Sequence, residues 1–345
     1  MINLSIDEKE VTVNEGATIL EAARSAGIEI PTLCYHERLN PIGSCRMCVV
    51  EIEGLPHPMT ACNTPVVEGI TVTTNSEQLL NMRKETLKLI LVNHPLDCPV
   101  CDKGGECTLQ DMVHEFEIEG AGYQAEKQER DSSYVTPLIR YWPDRCIMCL
   151  RCITACREIK GLGAIDIDGS GFGATVVSAN EDKCESCGEC INVCPTGALT
   201  ENLSPIKGRP WMVSRVMTTC TYCGCGCQLE INVLKNKIIG ITTKDDVGIN
   251  KGSLCVKGRF GYEFIESKDR LTKPLIKKDG GFREAGWDEA LDLVAEKLSK
   301  IKDSNGADAI AGLSSARCTN EENYMMQKFM RAVIGTNNID HCARL

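Results

Sequence analysis

The sequence has no apolar run long enough to span a bilayer as a helix. Basic residues are in deficit, 38 Lys plus Arg against 48 Asp plus Glu, a balance that argues against nucleic acid as a partner. The opening residues MINLSIDEKEV hold no basic n-region, apolar h-region or twin arginine, so a cytoplasmic location is expected. Phosphate-binding signatures are missing too. There is no P-loop, and GSGFGA at 169–174 lacks the last glycine of G-x-G-x-x-G and precedes no helical pattern. It reads as a turn. A nicotinamide or flavin, if used, must bind another subunit.

What is present is cysteine, 22 residues in a chain of 345. A disulfide scaffold calls for a secreted and usually short chain. Without an export signal, so many cysteines point to metal binding.

The pattern divides along the chain. INLSI and VTVN alternate as paired strands, ATILEAARSAG forms a short helix with Gly27 at C′, and CVVEIEG and GITVTTN supply later strands. Residues 77–92 are helical, with Leu80, Leu87 and Leu91 on one face. The stretch from 116 to 135 is polar and glycine-containing and reads as a linker, as does SPIKGRP. Short strands surround a cysteine cluster from 213 to about 265. Beyond 287 the pattern is helical, with Leu291, Val294, Leu298 and Ile301, then Met326, Phe329, Met330 and Val333, at helical spacing. The Met/Phe stripe is expected to pack in a core.

Four cysteine groups carry the chemistry. Cys34, Cys45, Cys48 and Cys62 suit a two-iron cluster, with Gly43 and Ser44 letting backbone N–H groups approach the sulfides. A four-cysteine zinc site is the alternative. His94, Cys98, Cys101 and Cys107 could hold zinc or a cubane with one imidazole ligand. Neutral imidazole in place of thiolate should raise the potential there. The remaining histidines, His36, His57, His114 and His341, lack such spacing.

The third group is an internal repeat. CIMCLRCITAC at 146–156 recurs as CESCGECINVC at 184–194, each cysteine displaced by 38 residues. C-x2-C-x2-C-x3-C, closed by Pro195 in the second copy, is the bacterial two-cluster ferredoxin run, whose fourth cysteine ligates the other cluster. Cys146, Cys149, Cys152 and Cys194 should therefore hold one [4Fe–4S] cluster, and Cys184, Cys187, Cys190 and Cys156 the second. Arg157, not proline, follows Cys156. The fourth group is Cys220, Cys223, Cys227 and Cys255, another cubane set. Cys225, Cys318 and Cys342 remain unassigned.

This order of modules resembles known families. Residues 1 to about 205 resemble the iron–sulfur arm shared by the large peripheral subunit of respiratory complex I, iron-only hydrogenases and soluble formate dehydrogenases. Residues 213–345 resemble the start of a molybdopterin oxidoreductase, most closely the formate dehydrogenase alpha subunit. The motifs are CTYCGCGC, LCVKGRFGYEFI, RLTKPLI, WDEALDLV and SSARCTNEENYMMQKFMRAVIGTNNIDHCARL. Complex I subunits usually keep a degenerate single-cluster version of the ferredoxin pair, whereas all eight cysteines are present here. The hydrogenases' own later cysteine motifs are missing.

The resemblance implies a multidomain α+β chain. It would comprise a β-grasp [2Fe–2S] ferredoxin domain at 1–77, a helical one-His, three-Cys [4Fe–4S] segment at 78–118, and a bacterial 2×[4Fe–4S] ferredoxin domain at 136–205. A [4Fe–4S] subdomain at 213–268 and the truncated start of a molybdopterin-binding α/β domain at 269–345 would follow. One [2Fe–2S] and four [4Fe–4S] clusters are implied, with Mo or W held by bis(molybdopterin guanine dinucleotide) in the full subunit. Lys257 is implied as an electron relay between cubane and pterin; on the residues alone it is a surface lysine. The implied reaction is formate oxidation to CO2 or its reverse. Electrons would pass to a flavin- and NAD(P)-binding diaphorase-type subunit, a ferredoxin or a hydrogenase subunit. The alternative is a stand-alone multi-cluster carrier, or a subunit of a complex I-like or hydrogenase complex.

In formate dehydrogenases the residue after a CARL-like segment is the metal ligand, selenocysteine or cysteine. The sequence stops at Leu345. The expectation is a UGA codon there, read as stop, with selenocysteine next. Family catalytic His and Arg residues lie further on, so no formate turnover is expected from these residues alone.

Overall fold

The computed structural model describes residues 1–124, 127, 130–203 and 208–341. The chain forms two compact units, Met1–Ser214 and Arg215–Leu345.

The first unit begins with a mixed five-stranded sheet, ordered Lys9–Val13, Ile2–Ile6, Thr71–Thr73, Val49–Ile52, Met59–Thr60. Asp7 and Glu8 both take positive φ, the two-residue turn whose twist matches an antiparallel hairpin. The Asp7 carboxylate accepts from the Thr74 N–H at 2.7 Å and ties that turn to the end of the neighbouring strand Thr71–Thr73. Ile2–Ile6 runs parallel to Thr71–Thr73. The helix Ile19–Ser25 starts with a reciprocal Thr18–Glu21 capping box and stops before Gly27, whose φ of +71° serves as C′. Its Ile19, Leu20, Ala22 and Ala23 share one core with Leu4, Ile6, Val50, Val72, Cys48 and Cys62. Two candidate ligands are thus anchored in the hydrophobic core itself.

The helix Glu77–Leu91 buries Leu79, Arg83, Leu87 and Leu91. The expected Leu80 is exposed, and Leu79 takes its place. The reason is Arg83: the buried face runs at a spacing of four through a cation, which breaks the apolar signal that periodicity reads. Leu87 and Leu91 pack with the helix Thr108–Glu115 and with Leu33 and Met47, neighbours of Cys34 and Cys48.

The repeat region has helices Arg151–Glu158 and Glu189–Asn192, whose first residues also stand 38 apart. Between them lies the hairpin Ile165–Asp168 and Thr175–Ser178, and GSGFGA is its turn, with Gly169 and Gly171 at positive φ. A second sheet is ordered Leu199–Glu201, Ile139–Tyr141, Ser133–Thr136. The segment expected as a linker over 116–135 therefore ends inside a strand. Positions 125, 126, 128 and 129 of it, and 204–207 of SPIKGRP, lie outside the described residues.

The second unit opens with a sheet ordered Ser214–Thr219, Gln228–Leu234, Lys237–Thr242. The helix Val256–Phe260, the hairpin Leu275–Lys278 and Gly281–Glu284, and the helix Trp287–Asn305 follow. Gly312–Ser314 then pairs parallel to Ile339–His341. Between these strands run the helix Asn320–Lys328, capped by Thr319 and Glu322, and a wider turn of helix over Phe329–Ile334. The Met/Phe stripe packs only in part. Met330 and Ile334 are buried with Ile310, and Met326 is partly covered, but Phe329 and Val333 are exposed. The wider turn rotates the stripe off helical register, so spacing alone misassigned its later members. Leu291, Val294 and Ile301 are exposed as well.

Candidate metal centres

The first group sits where the loop from Cys45 to Cys48 enters the strand Val49–Ile52. Cys34, Cys48 and Cys62 are buried and Cys45 half-buried. The thiols meet in two pairs. A hydrogen bond from the Cys45 thiol, with help from Cys45 and Ser44 backbone N–H groups, pulls Cys34 down to about 5 against the effect of burial. Cys48 is lowered to about 7, chiefly by the Cys62 thiol. Two pairs suit two irons better than four separate sites. Gly43, at φ +69°, lies so close to Asn63 that a Cβ would stand 2.7 Å from Nδ2.

Arg83 holds this loop from behind. Its Nε donates to the Met47 carbonyl at 3.1 Å, and Nη2 donates to the Val49 and Thr74 carbonyls at 2.7 and 2.9 Å. The first two carbonyls flank Cys48. Sequence reasoning did not find Arg83; an arginine in the apolar register of a helix was its only signal.

In the second group, His94 Nδ1 is buried with no hydrogen-bond partner. Burial pushes the imidazole down to about 4 and keeps it neutral, the form in which it can bind a metal. Cys98, Cys101 and Cys107 lie on a tight loop whose carbonyls converge on Arg209. That guanidinium Nη1 donates to the Cys98, Cys101 and Gly104 carbonyls at 3.2, 3.2 and 3.3 Å. Arg209, read as part of a linker, is thus a clamp. Gly197 faces the Cys101 sulfur so closely that any Cβ there would collide with it. That contact brings the second group against the chain just after Cys194. Arg145, buried, pairs with Asp97 beside the same loop and lies over the Trp142 ring at 4.4 Å.

In the repeat, the backbone curls identically in both halves. Met148 and Leu150 have φ of 50° and 64°, and Ser186 and Gly188, 38 residues on, have 51° and 72°. Alternating left-handed residues between the cysteines turn successive N–H groups inward, as an anion or cluster requires. The Met148 N–H donates to the Cys146 sulfur at 3.4 Å. Burial raises the Cys149 thiol to about 12, with Cys194 the next influence. Cys190 is raised by burial and then by Cys187, Cys184 and Cys156. Cys194 acts on both Cys149 and Cys190, as a cysteine lying between the two copies would. Buried thiols of raised pKa release their protons when a metal takes them.

In the second unit Cys220 is buried, Cys223 and Cys227 half-buried, and Cys225 and Cys255 exposed. The Cys220 N–H donates to the Cys227 carbonyl at 2.8 Å, closing the loop. Burial raises Cys227 to about 12, with Cys225, 3.5 Å away, adding to it. A Cβ on Gly258 would stand 3.6 Å from the Cys220 sulfur, so Val256–Phe260 lies against the site. Lys257 of this helix is exposed. A cleft of about 450 Å³ opens at the carboxyl ends of the two parallel strands, lined in part by Ser314, Asn323, Arg331 and His341. Cys342 lies outside the described residues.

The buried arginines share a pattern. Arg83, Arg145, Arg151 and Arg259 are the arginines found buried among the described residues, and each stands beside a cysteine group. Arg259 is in the turn following Cys255, whose carbonyl accepts from its N–H at 3.1 Å. Buried cations are costly unless anions face them. Thiolate-bound clusters are such anions, so the cysteines and the arginines fit the same groups. Among the described residues no three His, Cys, Asp or Glu side chains gather tightly enough for a single metal ion. In a cubane each iron takes its own protein ligand.

Known domain families cover nearly the whole chain. Residues 1–77 match the 2Fe-2S iron-sulfur cluster binding domain, and 83–121 the NADH-ubiquinone oxidoreductase-G iron-sulfur binding region. Residues 136–200 match the ferredoxin-like domain of NADH-quinone oxidoreductase subunit 3. Residues 213–267 match the molybdopterin oxidoreductase Fe4S4 domain and 270–345 the molybdopterin oxidoreductase family. The NADPH-Fe(3+) oxidoreductase subunit alpha of Geobacter sulfurreducens (strain DL-1 / KN400) is 46% identical over all of this chain and 40% of that protein. A Rhizobium meliloti (strain 1021) protein named as part of an NADH-quinone oxidoreductase is 41% identical, again over all of this chain and 40% of that protein. A Staphylococcus aureus (strain USA300) protein with a provisional formate dehydrogenase name is 34% identical over 99% of this chain and 39% of its own length. One chain in the crystal structure of the NAD+-reducing [NiFe]-hydrogenase in the H2-reduced state has a TM-score of 0.56 and 28% identity over 60% of this chain and 90% of that one. The chain spans about 40% of the length of the curated relatives it matches. It consists of iron–sulfur domains followed by a partial molybdopterin oxidoreductase domain. These matches favour iron–sulfur over zinc for the first two groups. No described helix is long and apolar enough to cross a membrane.

Proposed function

We propose that this chain is the iron–sulfur electron-transfer portion of a formate dehydrogenase alpha subunit. Five clusters would be held: one two-iron at Cys34, Cys45, Cys48 and Cys62, and four cubanes. The cubane ligands are His94, Cys98, Cys101 and Cys107; Cys146, Cys149, Cys152 and Cys194; Cys156, Cys184, Cys187 and Cys190; and Cys220, Cys223, Cys227 and Cys255. When bound, the clusters supply one-electron redox chemistry, and a Mo or W bis(molybdopterin guanine dinucleotide) in the full subunit supplies two-electron exchange with formate and CO2. The chain's own residues supply placement. Arg83 and Arg209 pin the two ligand loops, Gly197 admits Cys101, and Lys257, on the helix against Cys220, is offered toward a pterin. The observation that carries the reading is the Cys101–Gly197 approach, which sets the His94 group against the turn that follows Cys194.

A second reading has its own support. The relatives named for NADPH and NADH, at 46% and 41% identity, exceed the formate-named one at 34%. Electrons would then come from a nicotinamide through a diaphorase-type partner, or go to a ferredoxin or hydrogenase subunit. Anaerobic holoprotein of the full subunit, mixed separately with formate and with NAD(P)H plus partner, decides between them. Cluster reduction by formate alone supports the first reading, and reduction only by the nicotinamide replaces it. Iron and labile sulfide near zero after reconstitution would end both.

A further inference from the structure

Positions 151 and 189 occupy the same place in the two halves of the cysteine repeat, each the first residue of its helix. One is an arginine, the other a glutamate. Arg151 is 8% exposed. Its Nη2 donates to the Tyr35 carbonyl and its Nη1 to the Val193 carbonyl at 3.5 Å, while Nε has no hydrogen-bond partner. Tyr35 follows Cys34, and Val193 precedes Cys194. No carboxylate pairs with this guanidinium among the described residues. Glu189 is 1% exposed but is compensated, with Arg38 Nη1 at 2.8 Å from its Oε1. One half of the repeat therefore contains a bare buried cation and the other a neutral pair.

A cation in a dry site needs an anion, and Arg151, bonded to the carbonyls that adjoin Cys34 and Cys194, has for that role the thiolates those cysteines become when a cluster is bound. Reduction makes a cluster more negative, so a fixed positive charge beside it favours the reduced form. We propose that Arg151 makes the two cubane sites unequal: its uncompensated charge raises the reduction potential at Cys146, Cys149, Cys152 and Cys194, and at the facing two-iron site, while Arg38 cancels Glu189 at the other cubane. Arg151 is a positioning residue as well, since it ties Tyr35 to Val193 and so fixes the spacing of two ligand loops. The inference rests on the cluster assignment proposed above.

The test is an EPR-monitored redox titration of the full chain, anaerobically reconstituted, as wild type, Arg151→Gln, Arg151→Lys and Glu189→Gln. Arg151→Gln lowers the midpoint of one cubane and of the two-iron signal and leaves the other cubane in place. Arg151→Lys restores most of that shift, because it restores the charge though not the two-carbonyl fork. Glu189→Gln removes the negative charge of the second copy and raises the second cubane's midpoint, a readout that survives if the Arg151 variants fail to fold. Midpoints unchanged in Arg151→Gln with clusters retained, or lysine shifting them as far as glutamine does, overturn the proposal. An unshifted or lowered second midpoint in Glu189→Gln does the same. Wild-type protein without cubane signals overturns the cluster assignment and this inference with it.

Discussion

The two units spend their apolar residues differently. In Met1–Ser214 the helix Ile19–Ser25 buries four of its seven residues, and Leu87, Leu91, Leu109 and Met112 close a second core around the ligand loops. In Arg215–Leu345 the nineteen-residue helix Trp287–Asn305 buries none. Its core beyond the cysteine loop amounts to Ile310, Met330 and Ile334 with partly covered neighbours. Both units position cysteines against a core and a buried arginine, but to different depth. The first embeds its ligand loops in large cores with Arg83, Arg145 and Arg151 beside them. The second sets Cys220 in a smaller core with Leu229, Ile241 and Leu254, with Arg259 beside Cys255, and leaves Cys225 and Cys255 exposed.

Four substitutions would sharpen or break this contrast. Cys149→Ser should have the largest effect: loss of about four irons per chain and of one cubane EPR signal. The second unit's cluster signal should persist; its loss would show that the units do not assemble independently. Arg83→Met comes next. It leaves the Met47, Val49 and Thr74 carbonyls buried without their donor, at a cost of roughly 3 kcal/mol to the first unit. Two-iron visible circular dichroism should then disappear at lower denaturant than the cubane signals, and simultaneous loss would place Arg83 outside the two-iron loop's support. Gly312→Ala probes the sparse core of the second unit. A Cβ there would stand 2.8 Å from Met330 Cγ, a contact worth about 1–2 kcal/mol of strain unless the methionine moves. Hydrogen exchange should quicken in Asn320–Ile334 and stay unchanged before residue 214. The smallest effect belongs to Thr319→Ala, which removes the Thr319–Glu322 capping box at about 1 kcal/mol. It should be visible as faster exchange at the start of that helix alone, and unchanged exchange would mean that packing rather than the cap holds this end.

Much of the arrangement was legible from residue order. The 38-residue displacement of CIMCLRCITAC returns as matched helices and matched positive φ values at 148/186 and 150/188, because cysteine spacing constrains the backbone between ligands. Gly27 ends its helix as expected for a residue tolerant of φ near +71°. Leu80 failed as a core residue because Arg83 interrupts the apolar face, and Phe329 and Val333 failed because a wider turn changes the helical period. Arg209 was hidden in a proline-flanked linker, where nothing local marks a residue that caps carbonyls about a hundred positions earlier. Formate as substrate came from resemblance alone, and relatives of other names are at least as similar.

Sequence by itself determined the candidate ligand types, their proposed grouping by spacing and the order of the iron–sulfur modules. Thiolate chemistry is local, and a ligand loop is a few residues long. Only the tertiary structure decided which charges stand beside those loops. Arg83, Arg145, Arg151 and Arg259 carry no motif, and each becomes meaningful when folding strips water from a guanidinium beside a cysteine group.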